Sequence, residues 1–202
     1  MQLNDILPTL ALIVAVGVFW LFFHIKNREQ NKLLAEQARR RGGTVNQAFL
    51  FRYPRLHVHY KTHTIEIHSE QGDRNTPSTT EAVASLALTT DLAMTITKKH
   101  LKYTYKKAPA IVLMQDIPFE NQEFDSAFLV KGYKEAVLKK ILTPAIQTKL
   151  LEYAERGIKL SLSRTSLTIV VNRFFSRESD YDRFFELIIT ILDTLDEGKY
   201  RA

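Results

Sequence analysis

The sequence predicts an α+β fold: an N-terminal single transmembrane helix continues into a basic stalk, and a strand-rich half precedes a helix–helix–strand–strand–helix half. Three observations predict it. Residues 6–25 contain no Asp, Glu, Lys or Arg. The first half of the remaining chain alternates apolar and polar residues with period two. The second half changes to the helical period, with apolar residues three and four apart.

The apolar run 6–25 is long enough to span a bilayer, since residues rising about 1.5 Å each cover a hydrocarbon core of roughly 30 Å. Residues 1–5 hold no Lys or Arg, and no small-residue cleavage site follows the run. We therefore expect an uncleaved anchor rather than a signal peptide. Aromatic residues near the end of the run are expected as interfacial anchors: Phe19, Trp20, Phe22 and Phe23.

The flanking charges predict the orientation of this helix. Residues 26–41 form a stalk rich in Lys and Arg, whereas residues 1–5 carry only Asp5. Because positive segments stay inside, we expect residues 1–5 outside the cytoplasm and a cytoplasmic α+β domain over residues 42–202. Gly42 and Gly43 should end the stalk helix.

The sharpest chemical pattern lies in a hairpin over residues 56–68. With a turn at Thr62 and His63, the alternation pairs His57 with His68 and His59 with Glu66 on one polar face. Imidazoles and a carboxylate at that spacing can hold a divalent metal such as zinc, and an open position would make the site catalytic. The alternative is a solvated sheet face whose polar residues bind nothing.

A second pattern is basic. Lysines crowd residues 98–107 with two tyrosines between them, and three arginines end the stalk. These residues could bind anionic lipid or an acidic partner, or they could simply protect a hairpin tip from aggregation. Nucleic acid is not expected as a partner, because the net charge of the domain is modest. The candidate binding residues are Arg39, Arg40, Arg41, Lys98, Lys99, Lys102, Lys106 and Lys107.

The remaining elements follow from local signals. Residues 86–97 and 101–105 predict a strand pair, and residues 111–114 and 127–131 predict weaker strands. In the second half, Lys134–Leu142 predicts a short helix, and Thr143-Pro144 resembles the first positions of another that ends at Gly157. Ser179 and Asp182 predict a capping box at the start of the last helix, and Gly198 its end.

Composition argues against several enzyme classes. The chain of 202 residues has no cysteine, which excludes disulfides, thiol nucleophiles and Cys-ligated metals. Nucleophile-elbow, phosphate-loop and dinucleotide-binding glycine motifs are missing from the sequence. No catalytic residue is therefore assigned, and the only cofactor considered is the divalent metal of the hairpin face.

Short motifs resemble those of uncharacterised bacterial single-pass membrane-anchored proteins. The motifs are Phe124-Asp125-x-x-Phe128, then Leu142-Thr143-Pro144 and Leu150-Leu151, with an Arg41-Gly42-Gly43 junction and a Tyr53-Pro54 dipeptide. No activity is assigned to such proteins, so the resemblance implies a membrane-anchored accessory domain and no site residues.

Three functional hypotheses follow. The first is a non-catalytic, membrane-anchored accessory or assembly protein that binds another membrane protein complex through its cytoplasmic domain. The second is a membrane-surface domain that binds anionic lipid, and the third is a metal-binding module or metal-dependent enzyme. Small residues in the first helix, Ala11, Ala15 and Gly17, add homodimerisation as a further option.

Overall fold

A computed structural model describes residues 3–46, 53–72, 74, 76–99 and 114–198. Within the first helix it describes the side chains of residues 12, 14–18, 21, 25 and 28–41. The elements are α1 (Leu3–Arg41), β1 (Thr44–Asn46), β2 (Arg55–Tyr60), β3 (His63–Glu70), β4 (Thr79–Ser85), β5 (Met94–Lys98), β6 (Gln115–Asp116), α2 (Gln122–Ala127), β7 (Phe128–Gly132), α3 (Glu135–Ile141), α4 (Pro144–Leu151), β8 (Ile158–Leu162), β9 (Ser166–Val171) and α5 (Glu178–Glu197).

Within the described residues, the strands form one antiparallel sheet of nine strands in the order β1-β2-β3-β4-β9-β8-β5-β7-β6. Alternate residues of the longer strands are buried, and their neighbours are only partly covered. Period-two alternation therefore gives the sheet one apolar face, which packs against the helices, and one polar face. Ile65, Ile67, Leu160 and Ile169 are fully buried on the apolar face.

Helix α5 forms the centre of the helical layer. Its apolar stripe is completely buried and includes Phe184, Phe185, Ile188 and Ile191. The ring of Phe175 meets the rings of Tyr181 and Phe184 edge-on, both at 5.3 Å between centroids. Aromatic pairs in this geometry add about 1 kcal/mol each beyond the burial of their surface.

Helix α1 changes the predicted architecture. It is one unbroken helix of 39 residues, and its last three turns pack on α5, β1 and β2. Among the described residues, we find no helix that combines the length and the apolar character needed to cross a bilayer. The predicted transmembrane helix over residues 6–25 is therefore wrong.

The predicted single-pass topology is wrong with it, and the placement of residues 1–5 outside the cytoplasm and residues 42–202 inside it loses its basis, since both rested on that helix. The helix runs unbroken from Leu3 to Arg41, and its charged C-terminal segment packs against the sheet instead of standing apart from the domain as a stalk.

The β2–β3 register also differs from the prediction. The turn is Lys61-Thr62, with Lys61 at a positive φ of 53°, so His57 pairs with Glu66 and His59 with Thr64. The predicted pairs are wrong, because each β2 residue pairs with a β3 residue two positions earlier in the sequence than predicted. A shift of two keeps every side chain on its face, so the alternation of apolar residues could not distinguish the two registers.

The other predicted element boundaries agree with the structure to different degrees. Thr143 caps α4 as predicted, accepting a hydrogen bond from the Ile146 amide. The strand predicted over residues 86–97 is confined to Met94–Lys98, and residues 100–113 lie outside the described part of the chain. The capping box predicted for α5 is wrong, because the N-cap is Arg177, two residues before Ser179, and the Asp182 carboxylate pairs with arginines of α1.

The junction between α1 and β1 depends on Gly43. A Cβ atom at this position would overlap the His57 carbonyl oxygen and lie 2.9 Å from Val58 Cγ2. We predict that Gly43→Ala lowers the free energy of unfolding by about 1–3 kcal/mol, measured by urea denaturation. Gly17→Ala is the matched control, because a Cβ there meets nothing within 4 Å. Equal midpoints for the two variants would show that the junction tolerates a side chain, against this prediction.

Candidate functional site

The N-terminal half of α1 exposes a large apolar surface. Six of its described side chains are more than half exposed: Leu12 65%, Val14 58%, Val16 60%, Val18 62%, Leu21 53% and Ile25 52%. We call residues 12–25 the free segment. Elsewhere in the described chain only Tyr133 is a large exposed hydrophobic residue. Contiguous exposed apolar side chains of this kind mark interaction surfaces rather than ordinary solvent-facing helix.

The C-terminal part of α1, residues 30–41, is bound to the domain, and we call it the docked segment. Leu34 is fully buried and Ala38 is 7% exposed within the main core. Gln30 and Gln37 are buried on the same side, since positions 30, 34, 37 and 41 lie on one helix face. We call the contact between this helix face and the domain the seam. Polar and apolar contacts alternate along it over three helical turns.

A buried chain of hydrogen bonds crosses this seam. The Gln30 amide donates to the Tyr181 hydroxyl on α5, which lies 3.0 Å from Ser69 Oγ on β3. Ser69 Oγ in turn lies 2.8 Å from Thr80 Oγ1, and Thr80 donates to the carbonyl of Arg173 at 2.7 Å. Burial raises the pKa of Tyr181 to about 12, against the opposing effect of these hydrogen bonds, so the phenol stays protonated as a donor.

The three arginines predicted to bind lipid or an acidic partner lie at the C-terminal end of α1, where they face acidic side chains of the same chain. Hydrogen bonds from Arg39 and Arg40 lower the pKa of Glu36 to about 2. Arg40 also contacts Glu178, and Arg41 donates to Asp182 at 2.8 Å while its guanidinium lies 4.1 Å from the Phe185 ring centroid.

Acidic groups at the start of α5 thus meet cations at the end of α1, as both helix dipoles favour. Arg40 and Arg41 contribute to docking, and Arg39 remains the most exposed of the three.

The other predicted binding residues fall into two groups. Lys98 Nζ donates to the Glu155 carbonyl at 3.3 Å and Lys99 Nζ to the Asp125 carbonyl at 2.9 Å, so both are held near α2 and the end of α4. Lys102, Lys106 and Lys107 lie outside the described residues. The same applies to the side chains of the predicted interfacial anchors in α1, which are Phe19, Trp20, Phe22 and Phe23.

The histidine face of the hairpin is occupied by internal pairs. Arg55 donates to Glu66 at 2.6 Å, and His57 Nδ1 lies 3.7 Å from the same carboxylate. His68 Nε2 lies 3.7 Å from Glu81 and shares no partner with His57 in the described chain. His59 lies beside Thr64. Within the described ranges, no three His, Asp or Glu side chains are grouped so that they could hold a metal ion.

A histidine, an aspartate and a serine meet at the opposite end of α5, but they do not form a catalytic triad. His63 is buried, with Nδ1 2.9 Å from the Ser85 carbonyl and Nε2 3.0 Å from Asp196 Oδ1. The Ser85 hydroxyl instead bonds the backbone of Thr64. A nucleophile needs its hydroxyl on the imidazole, so this arrangement ties the β2–β3 hairpin to α5 rather than activating serine.

Next to this contact, Lys61 and Tyr60 hold a second carboxylate of α5. Lys61 Nζ lies 2.5 Å from Asp193 Oδ1, and the Tyr60 hydroxyl donates to the same oxygen at 2.9 Å. Burial acts to raise the pKa of Asp193, but the hydrogen bonds from Lys61 and Tyr60 outweigh it and leave that pKa below its ordinary value.

A small cleft lies at the start of α5, lined by Glu152, Tyr153, Arg156, Asp180 and Arg183. Asp180 is 5% exposed, and its Oδ2 has no hydrogen-bond partner within the described chain, with Arg173 at 3.5 Å. The cleft has room for roughly one water molecule. It therefore resembles a hydrated structural ion cluster and offers no space for a substrate.

Sequence reasoning missed Gln30, Tyr181, His63 and Asp196. One signal was available: Gln30, Leu34, Gln37 and Arg41 repeat at helical spacing, which indicates a second, polar packing face on α1. The partners of that face lie more than 100 positions away, and no local pattern connects them.

The buried hydrogen-bond chain yields a stability prediction. Tyr181→Phe removes the Tyr181 hydroxyl as partner of the buried Gln30 amide and reduces Ser69 to its bond with Thr80, so we expect the free energy of unfolding to fall by about 1–3 kcal/mol. Tyr153→Phe is the matched control, because Tyr153 is also buried but its hydroxyl makes no hydrogen bond within the described chain. Urea denaturation measures both, and an equal loss would mean that the Tyr181 hydroxyl contributes nothing specific.

The Asp193 contacts predict a pH dependence. A carboxyl whose pKa is lower in the folded state stabilises the fold above its ordinary pKa of 3.8, and that contribution is lost as the pH falls through the folded value. We expect Asp193→Asn to lose less stability than the parent protein between pH 5 and about pH 2. Asp91→Asn, at an exposed position, should follow the parent. Parallel curves for all three proteins would overturn the prediction.

Comparison with known proteins gives a relationship at the level of the fold. No family model and no curated protein matches the chain. A solved structure with a similar fold is the mycobacterial trehalose monomycolate transport factor A, TtfA, with a TM-score of 0.57 and 7% sequence identity. The likeness covers 84% of this chain and 93% of that one, and at this identity it shows the fold alone.

Proposed function

We propose that the protein is a non-catalytic accessory or assembly protein that binds another protein complex. The observation that carries the proposal is the free segment of α1, whose described apolar side chains are each more than half exposed. Such a surface gains free energy at about 25 cal/mol per Å² when a partner covers it. The partner would present an apolar surface to this helix.

The polar clusters of the domain support the same proposal. Each described cluster has an internal structural role: Arg40 and Arg41 dock α1, His63 and Asp196 join the hairpin to α5, and Arg55 neutralises Glu66. A catalytic site needs titratable groups that converge on an accessible cavity. In the described chain, the cleft at Asp180 has room for only about one water molecule.

The fold relationship agrees with this proposal. The structure that shares the fold is named a transport factor, a description that does not itself state a catalytic reaction. The domain here would act through binding, with its sheet serving as a scaffold for α1. We carry forward neither the lipid nor the metal hypothesis, because Lys98 and Lys99 bond to carbonyl groups and the histidine face lacks a grouped ligand set in the described chain.

The direct test is to purify the full chain from its natural source under non-denaturing conditions, identify what migrates with it in stoichiometric amount, and measure binding with both partners pure. The variant carries Val14→Ser, Val18→Ser and Leu21→Ser on the free segment. The matched control carries Ala136→Ser, Lys140→Ser and Ala145→Ser, which lie exposed on α3 and α4.

We expect the free-segment variant to weaken binding at least tenfold, since each buried apolar anchor contributes about 1 kcal/mol or more. The control variant should bind like the parent protein. Migration of the parent chain as a lone monomer or homodimer would contradict the proposal. Equal binding by both variants would place the partner on another surface and contradict the role of the free segment.

A further inference from the structure

The contacts of the docked segment fix the position of α1 along its own axis. We call this set of contacts the lock. From Gln30 to Arg41 it runs about 16 Å along the domain. Its first contact is the buried Gln30–Tyr181 hydrogen bond, its middle is Leu34 and Ala38 in the core, and its last is the Arg41–Asp182 pair. In each helical turn of the docked segment, polar side chains thus contact polar partners and apolar side chains contact apolar ones.

This arrangement allows one axial position of the helix. If α1 slid by one turn, Leu34 would occupy the position of Gln30, and the buried Tyr181 hydroxyl would lose its amide partner. Ala38 would then fill the position of Leu34 and leave a void in the core. An unsatisfied buried polar group and a cavity both destabilise a fold, so neighbouring registers are strongly disfavoured.

The end of the helix is fixed as well. Gly42 adopts a positive φ of 67°, and the Gly43 amide donates to the Ala38 carbonyl at 2.8 Å, which closes the last turn. The chain then enters β1, where Val45 pairs with Leu56. Rotation of α1 about its axis would break this short strand from the sheet edge.

The helix itself contains no hinge between the two segments. Residues 18–41 include no glycine or proline, the usual causes of a kink. All 39 residues of α1 form one helix, which corresponds to a rod of about 58 Å. The lock at one end therefore fixes the direction of the free segment at the other.

We propose that α1 is a rigid lever rather than a flexible tether, and that the seam of Gln30, Gln37 and Arg41 against Tyr181 and Asp182 holds it in one orientation. A partner that binds the free segment is then held at a defined angle to the sheet, and a movement of either body is transmitted to the other. The orientation of α1 is set by contacts within this chain, whether or not the proposed partner binds.

The test measures distances between spin labels by pulsed electron resonance. The chain has no cysteine, so labels can be placed at Val18→Cys and Ala145→Cys without other changes. Ala136→Cys with Ala145→Cys gives the reference pair inside the domain. We expect the Val18–Ala145 pair to give a single distribution about as narrow as the reference pair. A broad distribution with a narrow reference pair would overturn the proposal.

The role of the seam is tested by substitution in the same labelled protein. Gln37→Ala with Arg41→Ala and Tyr181→Phe should broaden the Val18–Ala145 distribution by about twofold or more. Lys32→Ala with Ala35→Ser and Arg39→Ala, on the exposed side of the docked segment, is the matched control and should leave it unchanged. The reference pair shows that each variant remains folded. An unchanged distribution in the seam variant would overturn the assignment of the lock.

Discussion

The packing of the docked segment of α1 is the constraint on which the rest of this structure depends. Strands β1 and β2 lie at one end of the sheet, where α1 packs on them, and their apolar residues need a cover. Leu34 and Ala38 supply it, in one core with Leu56 and Val58. Because burial of one large aliphatic side chain is worth about 1.5–3 kcal/mol, this end of the sheet relies on a few residues of α1.

The polar half of that seam gives specificity to the apolar half. A purely apolar helix face could slide by one turn with a small loss of free energy. The Gln30–Tyr181–Ser69 hydrogen bonds, in contrast, form in one position of the helix only. The same residues connect α1 with α5, β3 and β4. No such hydrogen bonds are made by the described side chains of the free segment, so one helix combines a docked segment with described apolar side chains that are exposed.

Local patterns in the sequence predict the elements that local physics determines. The apolar stripe of α5, including Phe184 and Ile188, is buried as its helical period indicates, and Thr143 caps α4. Alternation places His57, Glu66 and His68 on the polar face of the sheet, but it cannot fix their pairing, because a two-residue shift preserves the faces. The left-handed Lys61 at the turn carries no glycine or asparagine signal that would reveal the register.

Tertiary contacts explain where sequence patterns fail. Arg41 belongs to a basic cluster that resembles a surface site, yet its partner Asp182 lies 141 residues away in sequence. Asp182 resembles a capping residue in the sequence, because its distant partner Arg41 is not visible in the local pattern. The apolar run 6–25 has the length of a separate span, whereas it continues into a segment that packs on the domain. The helical spacing of Gln30, Leu34, Gln37 and Arg41 indicates a packing face on this helix, but no local pattern shows which elements it packs on.

Hydrogen–deuterium exchange of the full chain shows whether the docked segment is an integral part of the domain. We expect amides over residues 30–41 to exchange as slowly as those of α5, because both open only when the core unfolds. Exchange over residues 30–41 that is much faster than in α5, while α5 stays protected, would show that α1 undocks independently and that the domain does not depend on it.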